Sequence, residues 1–134
     1  MSSKNLLSET LYISLEVVLE IHQRQLKEFG GGDGVRNPSG LAAAVEVPKS
    51  TFDGEDLYPT HFSKAAAYAF HISEAQAFVD GNKRTALDVA LTFLAINGHE
   101  ILNEQMDLFD AMLGVAEHRL SKEILAKLFS RLTI

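Results

Sequence analysis

Residues Asn82 to Ile96 constrain the fold more than any other stretch. Ala86, Leu87, Val89, Ala90, Leu91, Phe93, Leu94, Ala95 and Ile96 make them apolar on nearly every side. At helical spacing such a segment has no polar face, and a helix without one is buried. The rest of the chain must therefore wrap it. The Asn97-Gly98 pair stops it as a C-cap does, and the break Val79-Asp80-Gly81 sets its start.

The wrapping elements read as helices, giving about six in all, in one all-α domain spanning residues 1–134. Thr10 to Ile13 is a short extended piece, and Ser14 is an N-cap with Glu16 in the first turn. Leu15, Val18, Ile21, Gln25 and Phe29 keep helical spacing, widened by Val17 and Leu26, until Gly30-Gly31-Gly32 ends the helix. After a loop over 30–36, Asn37 caps a short helix with Pro38 at its first position, ending before Pro48. Residues 48–59 hold turn formers and no helical period. Thr60 caps a helix running to about Ala77, His99 to Leu102 is extended, and Asn103 and Ser121 cap two last helices, the second carrying Ile124, Leu125, Leu128 and Leu132.

A hydrophobic content of 46% over 134 residues supplies a core for one ordinary domain. The absence of cysteine excludes disulfides and thiolate metal sites. The net charge of −6 argues against coating nucleic acid, which needs a basic face. Met1 to Leu7 has no signal-peptide pattern, and no run reaches the roughly 18 apolar residues of a membrane span. A soluble, cytoplasmic protein is the expectation.

Chemistry concentrates in Asp80-Gly81-Asn82-Lys83-Arg84, at the start of the apolar helix. The first turn of a helix carries free N–H groups and partial positive charge, an anion site before side chains are counted. Gly81 allows close approach and a positive φ, while Asn82 can cap the helix or donate to an oxyanion. Lys83 and Arg84 put cations where the helix dipole disfavours them, a cost an anionic ligand reverses. Asp80 beside them suits Mg²⁺, which takes few carboxylates together with phosphate oxygens. The same D-G-N stretch also serves as an ordinary turn and cap, and its glycine and lysine spacing is not that of a Walker loop.

Phe78-Val79-Asp80-Gly81-Asn82-Lys83-Arg84-Thr85-Ala86 resembles the core motif of the Fic/Doc superfamily in its death-on-curing (Doc) branch, roughly H-x-F-x-D-[AG]-N-K-R-T-A. Fic adenylyltransferases carry H-P-F-x-[DE]-G-N-G-R-x-x-R. Lys83 in place of their glycine, and Leu87 in place of their second arginine, set this chain with the Doc branch. Leu15 to Gly31, Gly34 to Leu41 and Phe52 to Thr60 resemble the branch's first helix, its following loop and its active-site flap.

The resemblance implies a Fic/Doc-like helical domain with a small flap or hairpin region. Gly81, Asn82, Lys83 and Arg84 would hold the phosphates of ATP, Asp80 would hold Mg²⁺, and Phe78 would fix the loop. Phe52, Gly54, Glu55, Asp56, Leu57 and Tyr58 would position the target, by pairing an extended segment with the flap. It further implies a toxin of a toxin–antitoxin pair that moves phosphate from ATP to a hydroxyl of a translation factor. Transfer of AMP, or a silent module that binds a protein, are the alternatives. Thr51 and Glu55 have the spacing of an inhibitory S/T-x-x-x-E motif but fall in the flap loop, so an antitoxin would be a separate chain.

One position departs from the motif. Gln76 stands where the family has its general-base histidine. A glutamine amide gives and accepts hydrogen bonds but takes no proton near neutrality. It can still orient a nucleophile in phosphoryl transfer. His71, five residues earlier, lies about 140° round a helix from it. His22, His61, His99 and His118 read as surface or capping residues, and Glu55-Asp56 as a solvated loop.

Overall fold

A computed structural model describes residues 9–102 and 105–134, with side chains from residue 108 in the second stretch. The cap expected at Asn103 and the Met1 to Leu7 segment lie outside the described residues. Ser14 opens helix α1, Leu15–Phe29, by accepting the Val17 N–H at 3.2 Å, and Gly30 closes it at φ 80. Asn37 accepts the Gly40 N–H at 3.0 Å and starts α2, Pro38–Glu46, followed by a 3-10 turn over Val47–Lys49. Thr60 and Ser63 form a reciprocal capping box for α3, His61–Ala75. Helix α4 covers Asn82–Ile96, α5 Gln105–Ala116 and α6 Lys122–Arg131, the last capped by Ser121.

The segment between α2 and α3 folds as a hairpin, β1 Thr51–Phe52 against β2 Glu55–Asp56, with Phe52 opposite Glu55. Its loop residues Asp53 and Gly54 sit at φ 54 and 81, the paired positive values a two-residue hairpin turn demands. The small hairpin implied by the resemblance is therefore present, and Asp-Gly is its local signal. Strands of two residues are too short for an alternating pattern to reveal them.

The core lies where α3 crosses α4. Ala65, Ala66, Ala67, Tyr68, Ala69 and Ile72 of α3 are buried, as are Ala86, Val89, Ala90, Phe93 and Leu94 of α4. Four alanines on α3 let the two backbones approach closely. Val18 and Ile21 of α1, Leu41 and Val45 of α2, Leu108 and Met112 of α5, and Leu125 and Phe129 of α6 pack round this pair in the same cluster. The Tyr68 hydroxyl accepts the Ile13 N–H at 2.9 Å, tying the extended N-terminal strap to the core. After α4, the His99 N–H reaches the Leu94 carbonyl and the Gly98 N–H the Ala95 carbonyl, a Schellman stop of the kind the sequence announced. Ile101 bridges Thr133, so the segment after α4 is extended as expected.

Two expectations need correction. Helix α4 is not buried on every side: Leu87 and Leu91 are only half-buried and line a groove of about 260 Å³ between α1 and α5, while Ile96 is 43% exposed. Helix α3 ends at Ala75 rather than Ala77, because Gln76 turns left-handed at φ 43 and ψ 45. The chain then peels away to pair with the loop before α2: Arg36 and Asn37 donate to the Ala77 carbonyl and Val79 donates to the Gly34 carbonyl. The Ala77 carbonyl, which a helix ending there would leave without an internal partner, is satisfied across the two loops instead.

Candidate functional site

Those paired loops deliver Asp80 and Gly81 to the start of α4. Gly81 is the N-cap, at φ 83, and α4 has no side-chain cap. Asn82, expected to cap or to meet an oxyanion, turns back instead: its amide oxygen accepts the Phe78 N–H and its amide nitrogen donates to the Phe78 carbonyl, each at 3.0 Å. Asn82 thus locks the loop across four residues and leaves the N–H groups of α4's first turn to other partners. Helices α1, α2, α3 and α6 all have their first turn met by a capping side chain.

The loop is also pinned from α1. Phe78 is fully buried and its ring stacks on His22, centroids 3.7 Å apart and 9° from parallel. His22 Nε2 donates to the Asp80 carbonyl at 2.8 Å. His22 is 1% exposed, so it is no surface residue. It lies one turn after Val18, on the apolar stripe of α1, and that position was the legible sign of burial. The Asp80 carboxylate accepts the Gly32 N–H at 2.6 Å. A side chain at Gly31, where φ is 117, would stand 3.0 Å from Asp80 Cβ, so glycine is required for that approach. Gln76 is exposed, and its carbonyl accepts the Arg36 guanidinium at 3.2 Å. Arg36 is a second site neighbour that the sequence reading did not single out.

The two cations part company. Among the described residues Lys83 makes no ion pair or hydrogen bond. Arg84, expected beside it at the phosphates, lies in the α1–α5 groove with its guanidinium carbon 3.9 Å from the Phe29 ring centre and 4.5 Å from that of Phe109. Stacking between two aromatic faces holds it there. One Asp80 oxygen is taken by Gly32, and no group of three or more His, Asp or Glu side chains that could hold a metal occurs among the described residues. A cation held by Asp80 would need its remaining ligands from outside these residues.

The other histidines do not join Gln76. His61 Nδ1 and His99 Nε2 share a 2.7 Å hydrogen bond, half-buried beside Phe62 and Phe93; burial, then His99 and Lys64, push the His61 pKa down. His71 Nε2 accepts from Lys122 Nζ at 3.0 Å, and burial, then Lys122, lower its pKa from 6.5 to about 4. The unfolded chain takes up the His71 proton near pH 6.5 and the folded chain holds it off to about pH 4, so stability is whole above that window and falls as pH drops through it. His71→Gln keeps an acceptor for Lys122 and should lose less stability than the parent between about pH 7 and pH 4.5. Urea midpoints of both proteins at the two pH values measure this, and equal losses would contradict it.

In the flap hairpin, Phe52, Gly54, Glu55, Asp56 and Leu57 are exposed and Tyr58 is half-buried. Thr51 and Glu55 lie on the two strands, not on a helix. Asp56 is not simply solvated: buried Lys64 donates to its carboxylate at 2.9 Å.

Comparison with known proteins agrees with this architecture. A toxin Doc of Mycolicibacterium smegmatis is 48% identical over 73 residues, 54% of this chain and 56% of that protein. The chain thus spans little more than half of that relative's length. A protein kinase doc of Escherichia phage P1 is 29% identical over 121 residues, 90% of this chain and 94% of that protein. Both relatives support the Doc branch. The Fic/DOC family model matches residues 12–94, well over half of the 134 residues, and with the helical fold and the motif loop in place the chain belongs to the Fic/DOC family.

Proposed function

We propose that this protein is a Doc-type toxin that transfers a phosphate from ATP to a hydroxyl of a target protein concerned with translation, and that an antitoxin chain restrains it. The observation that carries the reading is the uncapped N-terminus of α4, fronted by a loop held rigid by Asn82, His22 and Gly32. Free N–H groups of Asn82, Lys83 and Arg84, the helix dipole and the Lys83 ammonium together favour a polyphosphate. Mg²⁺ bound to Asp80 would neutralise phosphate charge. Arg84 serves that charge only by leaving its aromatic sandwich, so Lys83 carries the larger share.

In the transfer, the target hydroxyl oxygen bonds to the terminal phosphorus as the bond to ADP breaks. The hydroxyl proton passes to water or a phosphate oxygen, because Gln76 accepts none. The Gln76 amide orients the hydroxyl, and the Arg36 bond to its carbonyl fixes its backbone. The exposed hairpin offers a strand edge to the target. Both relatives' names, a Doc toxin and a Doc protein kinase, support this reading over AMP transfer.

The test is incubation of the purified chain with a cell lysate and ATP labelled at either the terminal or the first phosphate. Terminal label on a protein band, only when the chain is present, is the expected result. First-phosphate label on the band would mean AMP transfer, and no label from either would leave a silent binding module.

A further inference from the structure

Hairpin residues 51–57 are exposed throughout, and Phe52 and Leu57 point 74% and 54% of their surface to solvent. Strands of two residues are marginal by themselves. The hairpin buries no apolar face in the core, so its orientation on the helical body must come from its ends.

Both anchors converge on Tyr58, the first half-buried residue after the hairpin. Buried Lys64 of α3 reaches the Tyr58 carbonyl and pairs with Asp56. Lys122, the first residue of α6, donates to the Tyr58 hydroxyl at 2.7 Å and to His71 Nε2 at 3.0 Å. Its ammonium also lies 5.0 Å from the Tyr58 ring centre and 5.3 Å from that of Phe70. A lysine ordinarily keeps its side-chain freedom in water, and losing that freedom is costly. Here two hydrogen-bond acceptors and two aromatic faces, from Tyr58 and from Phe70 and His71 of α3, compensate for the loss. Burial keeps His71 neutral, and hence an acceptor, at ordinary pH.

We infer that Lys122 is a positioning residue that latches the hairpin to α6 through the Tyr58 hydroxyl, and so sets the angle at which its edge meets a protein target. The consequence for the target rests on the docking role given to the hairpin above; the latch itself does not. Lys64 fixes the end of β2, and Lys122 fixes the ring beyond it. Lys122 thus joins α6 to α3 through His71 and Phe70, and carries the exposed hairpin on that junction through Tyr58.

Amide hydrogen exchange in the whole chain tests the latch. Lys122→Met and Tyr58→Phe should each speed exchange of the Leu57 N–H, which bonds the Ser50 carbonyl at 3.0 Å, by roughly tenfold. The double variant should go no further than Lys122→Met alone, because Tyr58→Phe then has no bond to Lys122 left to remove. Lys122→Arg, which keeps a donor, should restore most of the protection. Amides of α4 should exchange as in the parent. Unchanged hairpin exchange in Lys122→Met, or independent additive effects of the two changes, would overturn the latch. Equal acceleration in α4 would also overturn it, by showing a general loss of stability. The inference and the transferase reading fail separately: exchange reads the latch in the protein alone, whereas label transfer from ATP reads the chemistry.

Discussion

Gln76→His is expected to raise the rate of phosphate transfer by about 10²–10⁴-fold, the usual contribution of a positioned general base. The backbone favours the change. Gln76 occupies a left-handed conformation at φ 43, where histidine is found more readily than most side chains. The replacement therefore brings no new backbone strain. The residue is exposed, so an imidazole there meets no packed neighbour and should titrate near its ordinary value. The variant's rate should rise with pH between about 5.5 and 7.5 as that imidazole loses its proton, while the parent's rate stays flat across the same range. Initial rates with terminally labelled ATP, read against pH, check both statements. A variant no faster than the parent would mean that proton removal is not what limits this site.

Phe78→Ala should cost about 3–5 kcal/mol of stability, the range for emptying a large buried aromatic position. Phe78 is fully buried, and its ring supports His22 at 3.7 Å. Without it His22 loses its stacking partner, and the 2.8 Å bond from His22 to the Asp80 carbonyl loses its alignment. The loop that presents α4's first turn would loosen as the core weakens. Urea unfolding measures the first effect, and a loss below about 1 kcal/mol would show that the surroundings collapse into the space. Asn82→Ala separates loop from core. It removes both bonds to the Phe78 backbone while leaving the buried ring in place.

Periodicity and caps made much of the fold readable. Ser14, Asn37, Thr60 and Ser121 cap the helices they were expected to cap, and Asn97-Gly98 ends α4 where expected. The errors fall where long-range pairing overrides local preference. Nothing in Ser73 to Ala77 shows that Gln76 turns left-handed, because the partner of the Ala77 and Val79 backbone groups beyond it is a distant loop, Gly34 to Asn37. Arg84 is adjacent to Lys83 in sequence, yet it leaves the loop for two aromatic rings that only the packing of α1 and α5 brings together. Lys64 and Lys122 gave no local sign, since Tyr58 lies six residues from one and sixty-four from the other. The motif itself was legible because Asp80 to Arg84 are contiguous in sequence and sit on one loop and one helix turn.

Phosphate transfer by this protein requires the first turn of α4 to be a phosphate site served by Lys83. Calorimetric titration of the parent and of Lys83→Ala with ATP in the presence of Mg²⁺ tests this most directly. The parent should bind, and the variant should bind about 10–100-fold more weakly, as expected for one charge-assisted contact. No binding by the parent, or equal binding by both proteins, would contradict it.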